Sequence, residues 1–200
     1  MAKSQRSSAS VASGSGTVRI IAGEFRSRKL PVVEVAGLRP TTDRIRETLF
    51  NWLQHSIVSA HCLDMFAGTG ALGFEAASRG AAKVVMIEQD RNAYSGLQQS
   101  IELLKTEKVS VINTNALSWL ESGVEGAEQA FDIIFVDPPF DQNLALESLE
   151  KLTRSSCVKS GTLIYLEESA KVDSFTLPEK LEIIKQAKAG QVKYSLLKLS

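Results

Sequence analysis

The sequence predicts an α/β fold built on a doubly wound, mostly parallel sheet of seven strands. Short apolar runs alternate with segments of helical periodicity through the middle of the chain. A glycine-rich turn follows the first of these runs, and residues 181–199 alternate between apolar and polar positions around Gly190. Strands separated by helices pair in parallel through right-handed crossovers, whereas the terminal alternation predicts a C-terminal antiparallel hairpin.

The individual elements follow from the same patterns. A small N-terminal β-hairpin is predicted where Val18, Ile20 and Phe25 alternate with polar residues around Gly23. A helix is predicted to start near Thr42, because a threonine before an acidic residue is typical of a helix start and apolar residues then recur at helical spacing. The predicted sheet strands are residues 62–66, 83–88, 109–113, 131–136, 162–166, 181–187 and 192–199, and further helices are predicted after the glycine-rich turn, at 92–104 and at 144–152.

Length and composition indicate one domain with an appendage. The chain has 200 residues, 44% hydrophobic and 23% charged, which excludes collagen-like, disulfide-scaffold and globally disordered classes. No apolar run approaches the roughly 18 residues of a membrane span. We divide the chain into a disordered Ser-rich tail (1–16), a basic N-terminal extension (17–53) and a main domain (54–200).

Cysteine and histidine usage gives no sign of a metal or disulfide site. Cys62 and Cys157 lie among apolar residues, without the spacing of metal ligands or of a disulfide framework, and the two histidines form no ligand cluster with them. We therefore expect two small buried hydrophobic side chains, no metal and a reducing, cytoplasmic location. We also expect a monomer.

The formal net charge of zero hides an uneven distribution. Residues 1–60 contain nine Lys or Arg and four acids, a net charge of +5, whereas the remaining residues carry 14 basic and 19 acidic side chains. A positive front part suggests a polyanionic partner for that part of the chain, although a solvated charged face would give the same count.

The strongest local motif is the glycine-rich turn. Gly68, Gly70 and Gly73 satisfy G-x-G-x-x-G between a predicted strand and a predicted helix, and Glu88 lies 20 residues after the first of them. This pattern suits a dinucleotide, but Asp64 ends the preceding strand, where its charge would repel a diphosphate. S-adenosylmethionine carries a sulfonium and an ammonium and no phosphate, and its ribose would use Glu88 equally well. The motif therefore favours S-adenosylmethionine over NAD.

A second motif follows the predicted fourth strand. Asp137-Pro138-Pro139-Phe140 places a carboxylate at the carboxyl end of a buried strand, where open α/β sheets bind ligands. The Asp137 carboxylate and the Pro138 carbonyl can both accept hydrogen bonds from one amino group, and Phe140 offers a surface for stacking a base. Two acceptors would orient the weakly nucleophilic exocyclic amine of a nucleobase and stabilise the positive charge that develops on it. A rigid loop exit without chemistry is the alternative.

These motifs resemble the class I methyltransferases that modify amino groups, and more narrowly the RsmD family of bacterial 16S rRNA guanine-N2 methyltransferases. The resemblance covers nearly everything from Thr17 to Leu199, in order. Its most specific part is the stretch RPTTDRIRETLFNWL at residues 39–53. The other matching segments are residues 19–23, 64–73, 136–140 and Ala189-Gly190-Gln191-Val192.

The resemblance implies transfer of a methyl group from S-adenosylmethionine to N2 of guanine 966 in the 16S rRNA of an assembling or assembled small ribosomal subunit. It implies a Rossmann-like class I methyltransferase domain at residues 54–200. Phe66 departs from the general methyltransferase pattern, which often has a glycine there, but fits the narrower family. The implied catalytic residues are Asp137, Pro138, Pro139 and Phe140; the implied cofactor-binding residues are Asp64, Phe66, Ala67, Gly68, Gly70, Glu88, Asn115 and Ala116.

The resemblance implies that the basic N-terminal extension contacts rRNA. We expect rRNA phosphate contacts from about half of the candidates, because some arginines could instead cap a helix or pair with Asp43 and Glu47. Asn115 likewise has two interpretations, a contact to the adenine edge or a helix cap before Ala116. The candidate RNA-binding residues are Arg19, Arg26, Arg28, Lys29, Arg39, Arg44 and Arg46.

Three other functions compete with this prediction. A DNA adenine-N6 methyltransferase would use the same motif on another amine, but no target-recognition domain that would select a DNA sequence is evident. An NAD-dependent oxidoreductase would need a hydride-transfer site, and no suitable His, Lys or Tyr constellation is evident. A non-catalytic rRNA-binding assembly factor could keep the fold, but the intact motifs at Gly68 and Asp137 argue against lost catalysis.

Overall fold

Alternation along the strands creates two apolar faces on one sheet. In this computed structural model, residues 16–32, 42–122, 130–139, 144–171 and 175–200 are described. Within them, β3–β7 and the terminal pair β8 and β9 form a seven-stranded sheet in the order β5-β4-β3-β6-β7-β9-β8, and β1 pairs with β2 separately. The strands are β1 (Thr17–Arg19), β2 (Lys29–Pro31), β3 (His61–Asp64), β4 (Lys83–Glu88), β5 (Val109–Asn113), β6 (Ile133–Val136), β7 (Leu163–Ser169), β8 (Leu181–Ala189) and β9 (Val192–Leu199).

Helices cover both faces of this sheet. One face packs Cys62, Phe135 and Tyr165 against the first three helices, and the other packs Leu63, Ile134 and further side chains against the last two. The helices are α1 (Asp43–Trp52), α2 (Ala71–Ser78), α3 (Arg91–Leu104), α4 (Ala116–Glu121) and α5 (Leu144–Leu152). Two buried faces explain why strand β6 is apolar at every position instead of alternating with polar residues.

The sheet topology confirms the predicted fold class. Strands β3 to β7 pair in parallel, β9 lies antiparallel between β7 and β8, and the small β1–β2 hairpin is antiparallel. Because parallel strands share a direction, the carboxyl ends of β3, β4 and β6 lie at one edge. That edge carries the glycine-rich turn and Asp137.

Several predicted boundaries differ from the observed ones. Strand β7 extends to Ser169, beyond the predicted end at 166, and includes the buried acids Glu167 and Glu168. Helix α4 was not among the predicted elements, although its start is the Asn115 cap that the sequence allowed. The predicted tail lies outside the described residues except for Gly16.

The N-terminal segment packs on the main sheet domain. Ile20, Phe25 and Leu30 belong to the same apolar cluster as α1, α2 and the central strands. Helix α1 begins after Thr42, whose side chain accepts from the Ile45 amide at 3.4 Å, which confirms the predicted helix start. Both cysteines are buried, as expected. In the described part of the chain, no helix is long and apolar enough to cross a membrane.

Candidate active site

The glycine-rich turn is held between the strands on either side of β3. The Met65 amide donates to the Phe135 carbonyl at 3.1 Å, and the Ala67 amide donates to the Ile87 carbonyl at 3.0 Å. Gly68 and Gly70 have φ angles of 51° and 74°, which few other residues adopt without strain. A Cβ on Gly70 would come within 2.5 Å of the Phe74 ring, so the turn has no room for a side chain there.

Glu88 connects the end of β4 to this turn. One of its carboxylate oxygens accepts from the Gly68 amide at 2.7 Å, and the other accepts from the Asp90 amide at 2.7 Å. Both contacts fix the carboxylate at the sheet edge beside the turn. Glu88 is therefore positioned where an acid at the end of the second parallel strand binds ribose hydroxyls in this class of fold.

Asp64 lies beneath the turn and is 1% exposed. Its Oδ2 accepts from the Gly73 amide at 3.1 Å. Burial and, to a smaller extent, the charge of Glu88 raise the pKa of Asp64 to about 7, against the opposing effect of the Gly73 and Phe66 amides. The charge of this carboxylate is therefore incompletely compensated in the protein alone, and a nearby cation would favour its ionised form.

Asn115 caps helix α4. Its Oδ1 accepts from the Leu117 and Ser118 amides at 3.0 and 3.1 Å, and its Nδ2 donates to Gln89 Oε1 at 3.1 Å. The helix-cap interpretation is thus what the structure shows, and the adenine contact stays a prediction. The remaining predicted cofactor residues lie on the same edge: Ala67 and Ala116 are buried and Phe66 is half-buried.

Asp137 follows β6 at the edge that also carries the glycine-rich turn. Its strand pairs with β3 on one side and with β7 on the other, so Asp137 lies next to the turn across one strand spacing. Asp137 is half-buried, Pro138 is buried and Pro139 is exposed. Phe140, the fourth predicted catalytic residue, lies outside the described residues.

The predicted RNA-binding residues separate into exposed and buried side chains. Arg26, Arg28, Lys29 and Arg44 are exposed, and Arg19 is exposed with an ion pair to Asp43 at 3.1 Å. Arg39 lies outside the described residues. The exposed group is concentrated on the β1–β2 hairpin and the start of α1.

The prediction for Arg46 is wrong. Its side chain is 2% exposed, and its guanidinium donates to the Arg19 carbonyl at 2.9 Å and to Asp43 at 2.7 Å. It also lies 3.8 Å from Glu75. A side chain enclosed in this way cannot contact an RNA phosphate, so Arg46 joins the N-terminal segment to the main domain.

Sequence reasoning missed the acid at the centre of that junction. Glu75 is fully buried on α2, accepts from the Ile21 and Ala22 amides at 2.8 and 3.1 Å, and pairs with Arg79 at 2.7 Å. On the same helix, Ser78 Oγ accepts from the Phe25 amide at 2.9 Å. The only signal in the sequence is one acid inside an otherwise apolar helix.

The N-terminal segment also lies beside the glycine-rich turn. Pro31 and Val32, at the end of β2, line a small cleft together with Gly68, Thr69 and the start of α3. The basic hairpin and the glycine-rich turn are therefore in direct proximity. A ligand bound at the turn would lie next to the segment that carries the exposed arginines.

A known protein family matches nearly the whole length of this chain. The family described as conserved hypothetical protein 95 matches residues 18–198. The curated Ribosomal RNA small subunit methyltransferase D of Escherichia coli is 46% identical over 184 residues, 92% of this chain and 91% of its own length. This chain belongs to the RsmD family. The resemblance that the motifs suggested is thereby confirmed.

Other members and solved structures agree with this assignment. The curated Ribosomal RNA small subunit methyltransferase D of Haemophilus influenzae is 44% identical over 90% of this chain and 93% of its own length. The solved structure of the Escherichia coli protein yhhF superposes with a TM-score of 0.82 at 42% identity, over 92% of this chain and 98% of the other. The family's fold is therefore present over nearly the full length of the chain.

Proposed function

We propose that this RsmD-family protein methylates N2 of guanine 966 in the 16S rRNA of the small ribosomal subunit, with S-adenosylmethionine as the donor. The proposal rests on one observation above all: the Asp137-Pro138 motif and the glycine-rich turn lie on adjacent strands at the same sheet edge. Family members named as small-subunit rRNA methyltransferases support the substrate class.

The residues at the turn fit S-adenosylmethionine. Gly68 and Gly70 keep the turn free of side chains, Glu88 is held at the edge for the ribose hydroxyls, and the buried Asp64 carries a raised pKa that a nearby cation would lower. A dinucleotide would place its diphosphate over the same acid. These features favour a cationic cofactor without phosphate.

S-adenosylmethionine supplies an electrophilic methyl group, whose bond to sulfur breaks as the bond to N2 forms, leaving S-adenosylhomocysteine and releasing one proton from the amine. The Asp137 carboxylate and the Pro138 carbonyl accept hydrogen bonds from the two N2 hydrogens. This arrangement orients the nitrogen lone pair towards the methyl group and stabilises the developing positive charge. Asp137 is placed to receive the released proton.

The exposed basic residues of the N-terminal segment bind rRNA phosphates in this proposal. Arg26, Arg28, Lys29 and Arg44 are accessible for such contacts, whereas residues 54–200 hold the cofactor and perform the chemistry. We place the protein in the cytoplasm as a monomer that acts on an assembling or assembled small subunit.

The sheet topology weighs against an oxidoreductase. The classic dinucleotide-binding sheet of the doubly wound type is mostly parallel and has the order 3-2-1-4-5-6. Here the antiparallel β9 lies between β7 and β8. A DNA adenine-N6 methyltransferase shares the chemistry of Asp137, but the family members carry names that specify small-subunit rRNA.

The test compares two acids that flank β6. Asp137→Ala should lower turnover on small-subunit particles by at least about 100-fold, because it removes one acceptor for the amine, while the Kd for S-adenosylmethionine stays within twofold. The control is Asp132→Ala, because Asp132 lies at the other end of the strand and pairs with Lys159 at 2.6 Å. Wild-type turnover in Asp137→Ala would overturn the catalytic role.

Calorimetric titration with S-adenosylmethionine, S-adenosylhomocysteine and NAD tests the cofactor separately. Binding of the first two without NAD is the expected result. Binding of NAD alone would overturn the methyltransferase proposal and would reduce the Asp137 motif to a loop.

A further inference from the structure

Glu167 is a buried carboxylate beside Asp137 that the proposed methyl transfer does not use. It is 4% exposed and lies at the carboxyl end of β7. Val136 and Leu166 are the last pair of the parallel β6–β7 ladder, in which neighbouring strands lie about 4.8 Å apart, and Asp137 and Glu167 directly follow this pair. The proline after Asp137 favours an extended backbone at that residue, so its side chain continues the alternation of β6.

Both carboxylates face the same side of the sheet. Side chains alternate along a strand, and Phe135 and Tyr165, two residues earlier on each strand, make a ring contact with centroids 6.5 Å apart. Glu167 shares the face of Tyr165, because its Oε2 accepts from the Tyr165 hydroxyl at 2.7 Å. Burial raises the pKa of Tyr165 well above its usual value, and the charges of Glu167 and Asp137 raise it further, which agrees with both acids lying near this hydroxyl.

The Tyr165 hydroxyl holds Glu167 in a defined orientation. Tyr165 is itself fully buried between the rings of Phe135 and Tyr194, so the donor cannot move far. A fixed acceptor adjacent to the catalytic acceptor is the arrangement that recognition of a planar edge requires.

The edge of guanine presents hydrogen-bond donors side by side, which matches the two neighbouring acceptors Asp137 and Glu167. N2 carries two hydrogens and the neighbouring ring atom N1 carries one, whereas adenine has an acceptor at N1. Two acceptors side by side can therefore hold N2–H and N1–H together. The same pair would oppose an N1 acceptor, because two electron-rich atoms would face each other.

We propose that Glu167 determines the specificity of the enzyme by accepting a hydrogen bond from N1–H of the target guanine while Asp137 accepts from N2. This inference rests on the proposed function and adds to it the residue that recognises the base. Polarisation of N1–H by a carboxylate also shifts electron density towards N2, which makes the amine a better nucleophile.

The decisive experiment replaces the N1 donor of the base. Small-subunit particles are reconstituted with 16S rRNA that carries either guanine or 2-aminopurine at position 966. The analogue keeps the amine at the same ring position but has an acceptor at N1. We compare kcat/KM on the two particles for the wild type and for Glu167→Gln, whose amide can donate to an N1 acceptor.

The expected result is a change in preference. Glu167→Gln should lower kcat/KM on guanine by about 10–100-fold, the range for loss of a hydrogen bond to a charged group, and should lose less on 2-aminopurine. The guanine preference should therefore fall at least about tenfold. Loss of the O6 atom from the analogue affects both proteins equally and cancels in the comparison.

Two further variants separate recognition from folding. Glu168→Gln makes the same chemical change one residue along β7, where the side chain pairs with Lys193 at 3.1 Å on the opposite face, and should leave the guanine preference unchanged. Tyr165→Phe removes the donor that holds Glu167 and should lower the preference by a smaller factor. The Tyr165→Phe comparison also serves if Glu167→Gln fails to fold.

The outcomes distinguish failure of the specificity role of Glu167 from failure of the proposed methyltransferase function. Equal losses on both particles in Glu167→Gln, or an unchanged preference in Tyr165→Phe, would overturn the specificity role and leave the proposed function standing. Failure of the wild type to methylate the guanine particle would overturn both.

Discussion

Helix α2 buries one carboxylate against each of its ends, and the two acids have different surroundings. Near the C-terminal end, Glu75 accepts from two backbone amides and pairs with Arg79, with Arg46 close by. At the N-terminal end, Asp64 accepts from the amides of Gly73 and Phe66 and still carries a raised pKa. Glu75 is neutralised by the protein itself, whereas Asp64 depends on something else for full compensation.

The difference in compensation indicates different roles: Glu75 attaches the N-terminal segment to the main domain, whereas Asp64 favours the binding of a cation. A fully compensated buried acid holds two parts of a chain together and offers nothing to a ligand. A partly compensated acid beneath a glycine-rich turn stabilises a cation that binds above it. Burial alone would have classed the two residues together, and their partners distinguish them.

The largest expected effect comes from removing the compensated acid. Glu75→Ala should lower the free energy of unfolding by about 5 kcal/mol, because it leaves the Arg79 guanidinium and two backbone amides without their acceptor and removes the charge beside the buried Arg46. Chemical denaturation measures this loss. Glu147→Ala, an exposed acid on α5 that lies 3.6 Å from Lys151, serves as the control and should cost less than 1 kcal/mol. Comparable losses in both variants would contradict the attachment role.

The next effect is a pH dependence at Asp64. A folded pKa of about 7, above the usual value of 3.8, means that the folded protein binds a proton more tightly than the unfolded chain. The stabilisation from this proton is complete below about pH 4 and is lost as pH rises to about 7, a decline of roughly 4 kcal/mol at 1.36 kcal/mol per unit. Denaturation curves across this range measure it, and Asp64→Asn should remove this component.

The same titration should appear in cofactor binding. A cationic cofactor favours the ionised Asp64, so affinity for S-adenosylmethionine should rise as pH increases through 7, with release of a proton. Calorimetry in two buffers of different ionisation enthalpy counts that proton. Proton uptake, or identical pH profiles for wild type and Asp64→Asn, would argue against cation compensation at this end of α2.

The smallest effect separates two arginines on one helix. Arg44→Ala should weaken rRNA binding several-fold and reduce the dependence of log Kd on log salt by about one, because it removes one exposed phosphate contact. Arg46→Ala should instead lower the free energy of unfolding, because its partners are Asp43, Glu75 and the Arg19 carbonyl. If both variants lose the same RNA affinity and have the same stability, the assignment of Arg44 to RNA binding and of Arg46 to the fold is wrong.

Local patterns predicted most of the fold because they operate over short distances. The strand Val109–Asn113 and the helix Leu144–Leu152 have their predicted bounds, since apolar spacing marks them directly. The predicted strand at 162–166 stopped short of Glu167, because charged residues usually lie outside a buried strand. The sequence does not show that Tyr165 and Lys193 supply the partners for Glu167 and Glu168.

The candidate site was predictable where a residue with suitable chemistry lies at the end of a predicted strand. The glycines and Asp137 follow strands, Glu88 ends one, and the parallel sheet brings those ends to one edge. Arg46 was assigned wrongly because its enclosure also involves the Arg19 carbonyl, 27 residues earlier, and Glu75, 29 residues further along on another helix. Contacts of that kind depend on how helices pack, which periodicity does not specify.

The attachment through Glu75 also constrains the order in which the protein can assemble during its synthesis. Ile21 is made 54 residues before the side chain that accepts its amide. At about 5–20 residues per second, several seconds separate the two. The basic hairpin therefore leaves the translating ribosome ahead of its anchor, and a growing chain carries its positive charges unattached before the sheet forms.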